Sequence, residues 1–225
     1  AMFPPNDVRY RTHGARLNIG FAADISSWRD ARAEYENGTL KILDHPVMEV
    51  WEAPYMRRLA EIATAKGGAI LEVGFGLGIS SRFVQDCQPA KHVIIEANVE
   101  VYEGLEAFAA SAVYRVEPVL GFWQDVLPNF ADASFDGILF DTYPLEAGEI
   151  HQNHYSFFVH AQRLLKPGGV FTYYSDEIDE ISPEHLERLR EAGFDRVDFE
   201  VCEVDPPVDC EYWSSSTIVA PRVIR

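Results

Sequence analysis

Acids at the ends of apolar runs, a glycine loop and an aromatic–amide pair are the groups in this chain that could do chemistry. Glu72-x-Gly74-x-Gly76-x-Gly78 grows out of the apolar run 70–73, with Phe75, Leu77, Ile79 and Ser80 between and behind the glycines. Glycine at alternate positions lets backbone turn tightly and approach a ligand closely. A dinucleotide fingerprint would place a glycine or alanine at the position held by Ile79, so a pyrophosphate is not the natural occupant. Glu96 closes the next apolar run, about twenty residues beyond the loop, where an acid can accept both hydroxyls of a ribose. Trp123 and Gln124 offer a ring wall and an amide for a purine. Asp141 ends a further run and is followed by Thr142-Tyr143-Pro144, which is not a helix start.

Such groups need a scaffold that gathers strand ends. Apolar runs at 70–73, 92–96, 114–120, 135–141 and 170–174 read as buried strands. Helical patterns at 80–87, 99–110, 156–165 and 183–192 separate them, the last stopped by Gly193 and the third by Lys166-Pro167-Gly168-Gly169. Apolar spacing also predicts a helix over 47–64, with Pro54 near its start or at a kink. Segments 197–204 and 216–224 flank a turn-rich Asp205-Pro206-Pro207 and are expected to pair antiparallel. The pattern predicts a doubly wound α/β sheet, mostly parallel, with antiparallel pairing at one edge. Ligands of such sheets sit beyond the carboxyl ends of the strands, at the topological switch point. Residues 1–45 form a mixed, weakly periodic arm ahead of a domain spanning 46–225.

Bulk properties narrow the partners. The 225 residues carry a formal net charge of -17. Nucleic-acid binding depends on neutralising phosphates, so no nucleic-acid partner is expected. An acidic cleft would favour a cationic small substrate. No apolar stretch approaches the ~20 residues of a membrane helix, and no leader-like opening is seen, so no membrane partner is expected. Cys87, Cys202 and Cys210 lack metal-ligand spacing, which suits a reducing, cytoplasmic setting. His151-x-x-His154 has a spacing used by metal sites, but no third ligand accompanies it, so it reads as a lid or surface pair and no metal is expected. Monomer and homodimer both remain open.

Together these motifs resemble the class I S-adenosylmethionine methyltransferases, a Rossmann-like fold with a seven-stranded sheet. The acid before the glycine loop, the ribose acid after the second strand and Leu164-Leu165-Lys166-Pro167-Gly168-Gly169 carry that likeness. A closer resemblance is to the guanidinoacetate N-methyltransferase family. It rests on His45-Pro46-Val47-Met48-Glu49-Val50-Trp51-Glu52-Ala53-Pro54-Tyr55-Met56, on Ile94-Ile95-Glu96-Ala97-Asn98, on Asp141-Thr142-Tyr143-Pro144-Leu145 and on Pro206-Pro207-Val208-Asp209-Cys210-Glu211-Tyr212. It runs from about residue 28 to the end.

The resemblance implies S-adenosylmethionine as cofactor, with S-adenosylhomocysteine as product, and a small guanidine as substrate. It implies that Glu52 and Asp141 hold the guanidino group and are the catalytic pair, with Asp141 also beside the cofactor. Tyr143 and Tyr212 match positions near the substrate. Trp28, Met48 and Met56 match residues that close over the cofactor. Glu72, residues 74–80, Glu96, Ala97, Asn98, Trp123 and Gln124 match the rest of its site. Another amine, an arginine-type acceptor, or cofactor binding without catalysis are the alternatives.

One loop departs from the family. After the fifth parallel strand the family presents backbone amides to a substrate carboxylate, whereas this chain reads Ser175-Asp176-Glu177. Acidic side chains there would repel an anionic end. Asp176 and Glu177 therefore point to a guanidine lacking the carboxylate, or one bearing a distal amine as in an agmatine-like compound. The rest of the run, through Glu180, reads as a solvated loop.

Overall fold

A computed structural model describes residues 25–146, 149 and 151–225. The arm expected over residues 1–45 therefore lies outside the described residues as far as position 24.

The described chain opens with the short helix α1 (Ile25–Arg29) and a meander of β1 (Ala33–Glu36), β2 (Thr39–Ile42) and β3 (His45–Glu49). Two-residue turns join the strands, with Asn37 and Gly38 at positive φ in the first and Leu43 and Asp44 in the second. Asn-Gly at such a turn matches the right-handed twist of the flanking strands. The helix predicted over 47–64 is thereby corrected. Its first three residues belong to β3, Val50–Glu52 form one 3₁₀ turn, and α2 runs from Ala53–Ala63 with Pro54 in its first turn. Cross-strand pairing of β3 with β2 outweighs the local helical spacing.

The remainder alternates strand and helix. In chain order come β4 (Ala69–Val73), α3 (Ile79–Asp86), β5 (Lys91–Glu96), α4 (Val99–Ser111), β6 (Val116–Leu120) and the short α5 (Trp123–Val126). Then follow β7 (Phe135–Phe140), α6 (Phe158–Leu164), β8 (Leu165–Tyr173), α7 (Pro183–Glu191), β9 (Arg196–Glu203) and β10 (Thr217–Ile224). The seven-stranded sheet has the order β6-β5-β4-β7-β8-β10-β9. β6, β5, β4, β7 and β8 are parallel, and β10 lies antiparallel to both β8 and β9. The Lys166-Pro167-Gly168-Gly169 stop falls inside β8, where the register with β7 shifts.

Strand order reverses between β4 and β7, so the switch point lies between the ends of these two strands. Gly74 follows one and Asp141 the other. Asp141 N–H donates to the Val73 carbonyl at 2.9 Å, and Gly74 N–H to the Ile95 carbonyl at 2.9 Å. A side chain at Gly74 would place its Cβ 1.9 Å from the Asp141 carbonyl oxygen, at φ +94°. Only glycine permits this approach. Apolar cores cover both faces of the sheet, one built on Phe157, Phe158 and Phe171, the other on Tyr55, Leu59 and Ile62. A third cluster joins Trp28 of α1 and Leu40 and Ile42 of the meander to Phe75, Val101 and Leu105.

Candidate active site

A cavity of about 1200 Å³, including its open mouth, lies beyond the carboxyl ends of β4, β5 and β7. Its described walls carry Glu52, Glu96, Asp141, Glu149 and Asp176 and no lysine or arginine. Such walls suit cationic occupants and offer nothing to a phosphate.

Glu52 occupies the turn between β3 and α2 and is only 2% exposed. Its Oε1 accepts the Tyr212 phenol and the Glu49 backbone N–H, the latter at 3.1 Å. Burial, and then the nearby Asp141 charge, push its carboxyl up to about 8, against the pull of those two donors. Burial likewise raises the Tyr212 phenol well above its usual range, with Glu52 next in effect. Tyr212 is held in turn by Trp51, whose ring centroid lies 5.9 Å away and whose Nε1–H donates to Glu49 Oε2 at 2.6 Å.

At the other end, Glu96 accepts backbone N–H groups of Phe75 at 3.0 Å and Asn98 at 2.8 Å. Burial raises its carboxyl, and the surrounding amides oppose that rise. A carboxylate has about four acceptor sites, so Glu96 keeps capacity for ligand hydroxyls. Trp123 stands edge-on to Phe140 and Phe157 at 6.0 and 5.4 Å, which fixes its ring in the wall beside Gln124. Trp28 closes the roof by stacking on Tyr143, centroids 5.2 Å apart at 10°. Tyr143 also bonds His45 Nδ1 at 2.9 Å. Asn98 caps α4 through Val101 N–H at 3.0 Å and donates to the carbonyls of Trp28 and Ala31, both at 2.8 Å.

Comparison with known proteins decides what this arrangement is. The family model for guanidinoacetate N-methyltransferase matches residues 20–225. The chain belongs to the guanidinoacetate N-methyltransferase family. Protein arginine N-methyltransferase 2 of Yarrowia lipolytica is 34% identical over 137 residues, covering 57% of this chain and 28% of that protein. Its Saccharomyces cerevisiae namesake is 29% identical over 164 residues, covering 68% and 39%. The matches thus span well under half the length of these relatives. Among solved structures, spermidine synthase from Thermotoga maritima superposes with TM-score 0.62 at 16% identity, over 91% of this chain and 71% of that one. The O-methyltransferase TomG from Streptomyces achromogenes, solved with S-adenosylmethionine, gives 0.53 at 20% identity, over 76% and 79%. These likenesses show the fold.

The cofactor is S-adenosylmethionine, and the residues present fit it. Gly74 and Gly76 bare their backbone to the cavity, Glu96 retains acceptor capacity, Trp123 supplies a wall, and the absence of basic side chains from the described lining suits a sulfonium. Of the residues expected from sequence, Trp28, Met48, Gly74, Gly76, Glu96, Ala97, Trp123, Gln124 and Asp141 line the cavity. So do Glu52, Tyr143, Asp176 and Tyr212.

Others of the expected residues stand behind the wall. Met56 is fully buried under α2 in the core. Glu72 accepts the hydroxyls of Ser80 and Ser81 and pairs with His92 Nε2 at 2.7 Å, so it fastens the loop to α3 and β5. Phe75, Leu77, Gly78, Ile79 and Ser80 shape the loop and its helix start, and Asn98 is spent on the cap and the roof. Glu177 turns away to accept Ser182 N–H at 3.1 Å and to pair with His185 Nδ1 at 3.3 Å. His151 and His154 are buried at 8% and 1%, which overturns the surface reading. Among the described residues no cluster of three or more potential ligands could hold a metal.

Sequence reasoning missed His45, Leu40, Ile42 and Tyr174, and gave His154 no place in the cavity. The Asn37-Gly38 hairpin signal would have found Leu40 and Ile42. Tyr174 carries no local signal, since only tertiary packing brings it to the cavity.

Proposed function

We propose that the protein transfers a methyl group to a guanidino nitrogen of a small molecule. The observation that carries this reading is the pair of buried Glu52 and half-buried Asp141, two carboxylates lining a cavity whose described walls hold no lysine or arginine. Two carboxylates in mutual repulsion call for a cation that satisfies both. A guanidinium fits because it is planar, carries five donors and stays charged, with a pKa of roughly 12.5–13.8.

Bound S-adenosylmethionine supplies an electrophilic methyl on a sulfonium. The protein's own task is to make a guanidinium nucleophilic and to aim it. Its nitrogen lone pairs are delocalised, and charge-assisted bonds to both carboxylates fix its plane and draw on its protons. Replacing N–H by N–CH₃ on a guanidinium that stays charged requires one proton to leave. Asp141, at the switch point beside Gly74, is placed to receive it. Glu52, with Oε1 already committed to Tyr212 and Glu49, acts as the fixed clamp. Alignment of the acceptor nitrogen should supply much of the rate. Trp28, stacked on Tyr143, acts with the meander as a cover that excludes water.

A second reading, an arginine side chain of a protein as acceptor, is favoured by the names of the curated relatives. An arginine peptide assayed beside small guanidines separates the two. Catalysis itself is tested by Asp141→Asn and Glu52→Gln. Each is expected to lower kcat by about 10²–10⁴-fold. Thermal stabilisation by S-adenosylhomocysteine should persist in both variants. Turnover near the wild-type rate in either variant would refute the pair.

A further inference from the structure

Beyond the guanidino clamp, the same cavity contains polar groups with no task in the chemistry above. Tyr174 and His154 both line it. The Tyr174 hydroxyl and both ring nitrogens of His154 are buried without a hydrogen-bond partner among the described residues. A buried polar group without a partner costs stability, and where its residue lines a cavity it is open to a bond from an occupant of that cavity. Asp176 stands on the same wall, its Oδ1 held by His151 Nδ1 at 3.0 Å.

Tyr174, His154 and Asp176 share the cavity with Glu52 and Asp141. Burial raises the Tyr174 phenol most, followed by Glu52, Asp176, Tyr55 and Asp141. Burial lowers His154 most, and Asp176 is the carboxylate acting on it. His154 is accordingly neutral, and one ring nitrogen is an acceptor.

We propose that this end of the cavity is a subsite for a second positive charge, and that the substrate is a guanidinoalkylamine in which an ammonium meets Asp176, Tyr174 and His154. This deepens the guanidine reading and rests on it. An ammonium has three N–H donors and no acceptor, and the subsite offers a carboxylate oxygen, a phenol oxygen and an imidazole nitrogen. A carboxylate in the same place would meet two donors at most and would face Asp176. Glu177 takes no part, because His185 and the Ser182 amide hold it away from the cavity.

The test compares guanidines of matched length: agmatine, 4-guanidinobutyrate and butylguanidine, each assayed for kcat/KM with S-adenosylmethionine. Agmatine is expected to exceed the acid by about 100-fold or more, with butylguanidine, whose tail is uncharged, between them, since reversing one charge beside a carboxylate changes its sign of interaction. Asp176→Asn should lower the amine-to-acid ratio by at least about tenfold, and Tyr174→Phe by a smaller factor. A wild-type ratio at or below one would overturn the proposal, as would an unchanged ratio in folded Asp176→Asn. Should that variant not fold, the wild-type ratio alone decides. Should no guanidine turn over, the guanidine reading fails separately. The subsite is then judged by calorimetric binding of the three compounds to the protein with S-adenosylhomocysteine. Agmatine above butylguanidine above the acid supports it, and any other order overturns it.

Discussion

Binding of a guanidinium should eject a proton from Glu52. In the ligand-free protein, burial and Asp141 push this carboxyl up to about 8. At pH 7 it is then protonated in about nine molecules of ten. A guanidinium arrives with its own charge and needs Glu52 ionised for a charge-assisted pair. The expected release is about 0.9 proton at pH 7, about 0.5 at pH 8 and about 0.1 at pH 9. Each pH unit below 8 costs about 1.4 kcal/mol of binding, so the dissociation constant should fall about tenfold between pH 7 and pH 9. Calorimetry in two buffers of different ionisation enthalpy, with S-adenosylhomocysteine present, reads the released proton directly. Identical heats in both buffers at pH 7, or an affinity flat across this range, would refute the reasoning. It would mean that Glu52 is already ionised in the empty cavity.

The same group governs stability. Its folded pKa lies above the ordinary value of 4.5, so the stability gained from the neutral carboxyl is full below 4.5 and is lost as pH rises through about 8. Glu52→Gln should therefore match the wild type in Tm near pH 5 and exceed it near pH 9, as measured by thermal melts. Gly74→Ala should lower Tm by ~2–12 °C from backbone strain of ~1–3 kcal/mol, because its Cβ meets the Asp141 carbonyl. Trp28→Ala should weaken S-adenosylhomocysteine by about tenfold or more in calorimetry while leaving the Asn98 cap intact, since Asn98 holds the Trp28 carbonyl and not its ring.

Much of the scaffold is legible in the sequence because parallel strands buried on both faces read as continuous apolar runs. The runs ending at Val73, Glu96 and Asp141 place the glycine loop and two cavity-lining acids without any knowledge of pairing. The meander is different. Val47, Val50 and Trp51 have helical spacing, yet β3 is fixed by its register with β2, and Val50 ends up exposed. The turn at Leu43 and Asp44 adopts positive φ without a glycine, so no residue type announces it. Side-chain direction at the site was equally hidden. Asp176 and Glu177 are adjacent and alike, but only His185 and the Ser182 amide reveal that Glu177 turns inward while Asp176 meets the cavity. His151 and His154 resemble a surface pair until the packing of Tyr155, Phe158 and Tyr173 around His154 is seen.

The central claim is that the methyl group arrives on a guanidino nitrogen. Incubating the protein with methyl-labelled S-adenosylmethionine and the guanidine panel, and locating the label in the product by fragment mass, tests it most directly. The account predicts a labelled methyl on the guanidino group, abolished by Asp141→Asn. No transfer to any guanidine, with S-adenosylhomocysteine binding intact, or a label found on another atom, would contradict it.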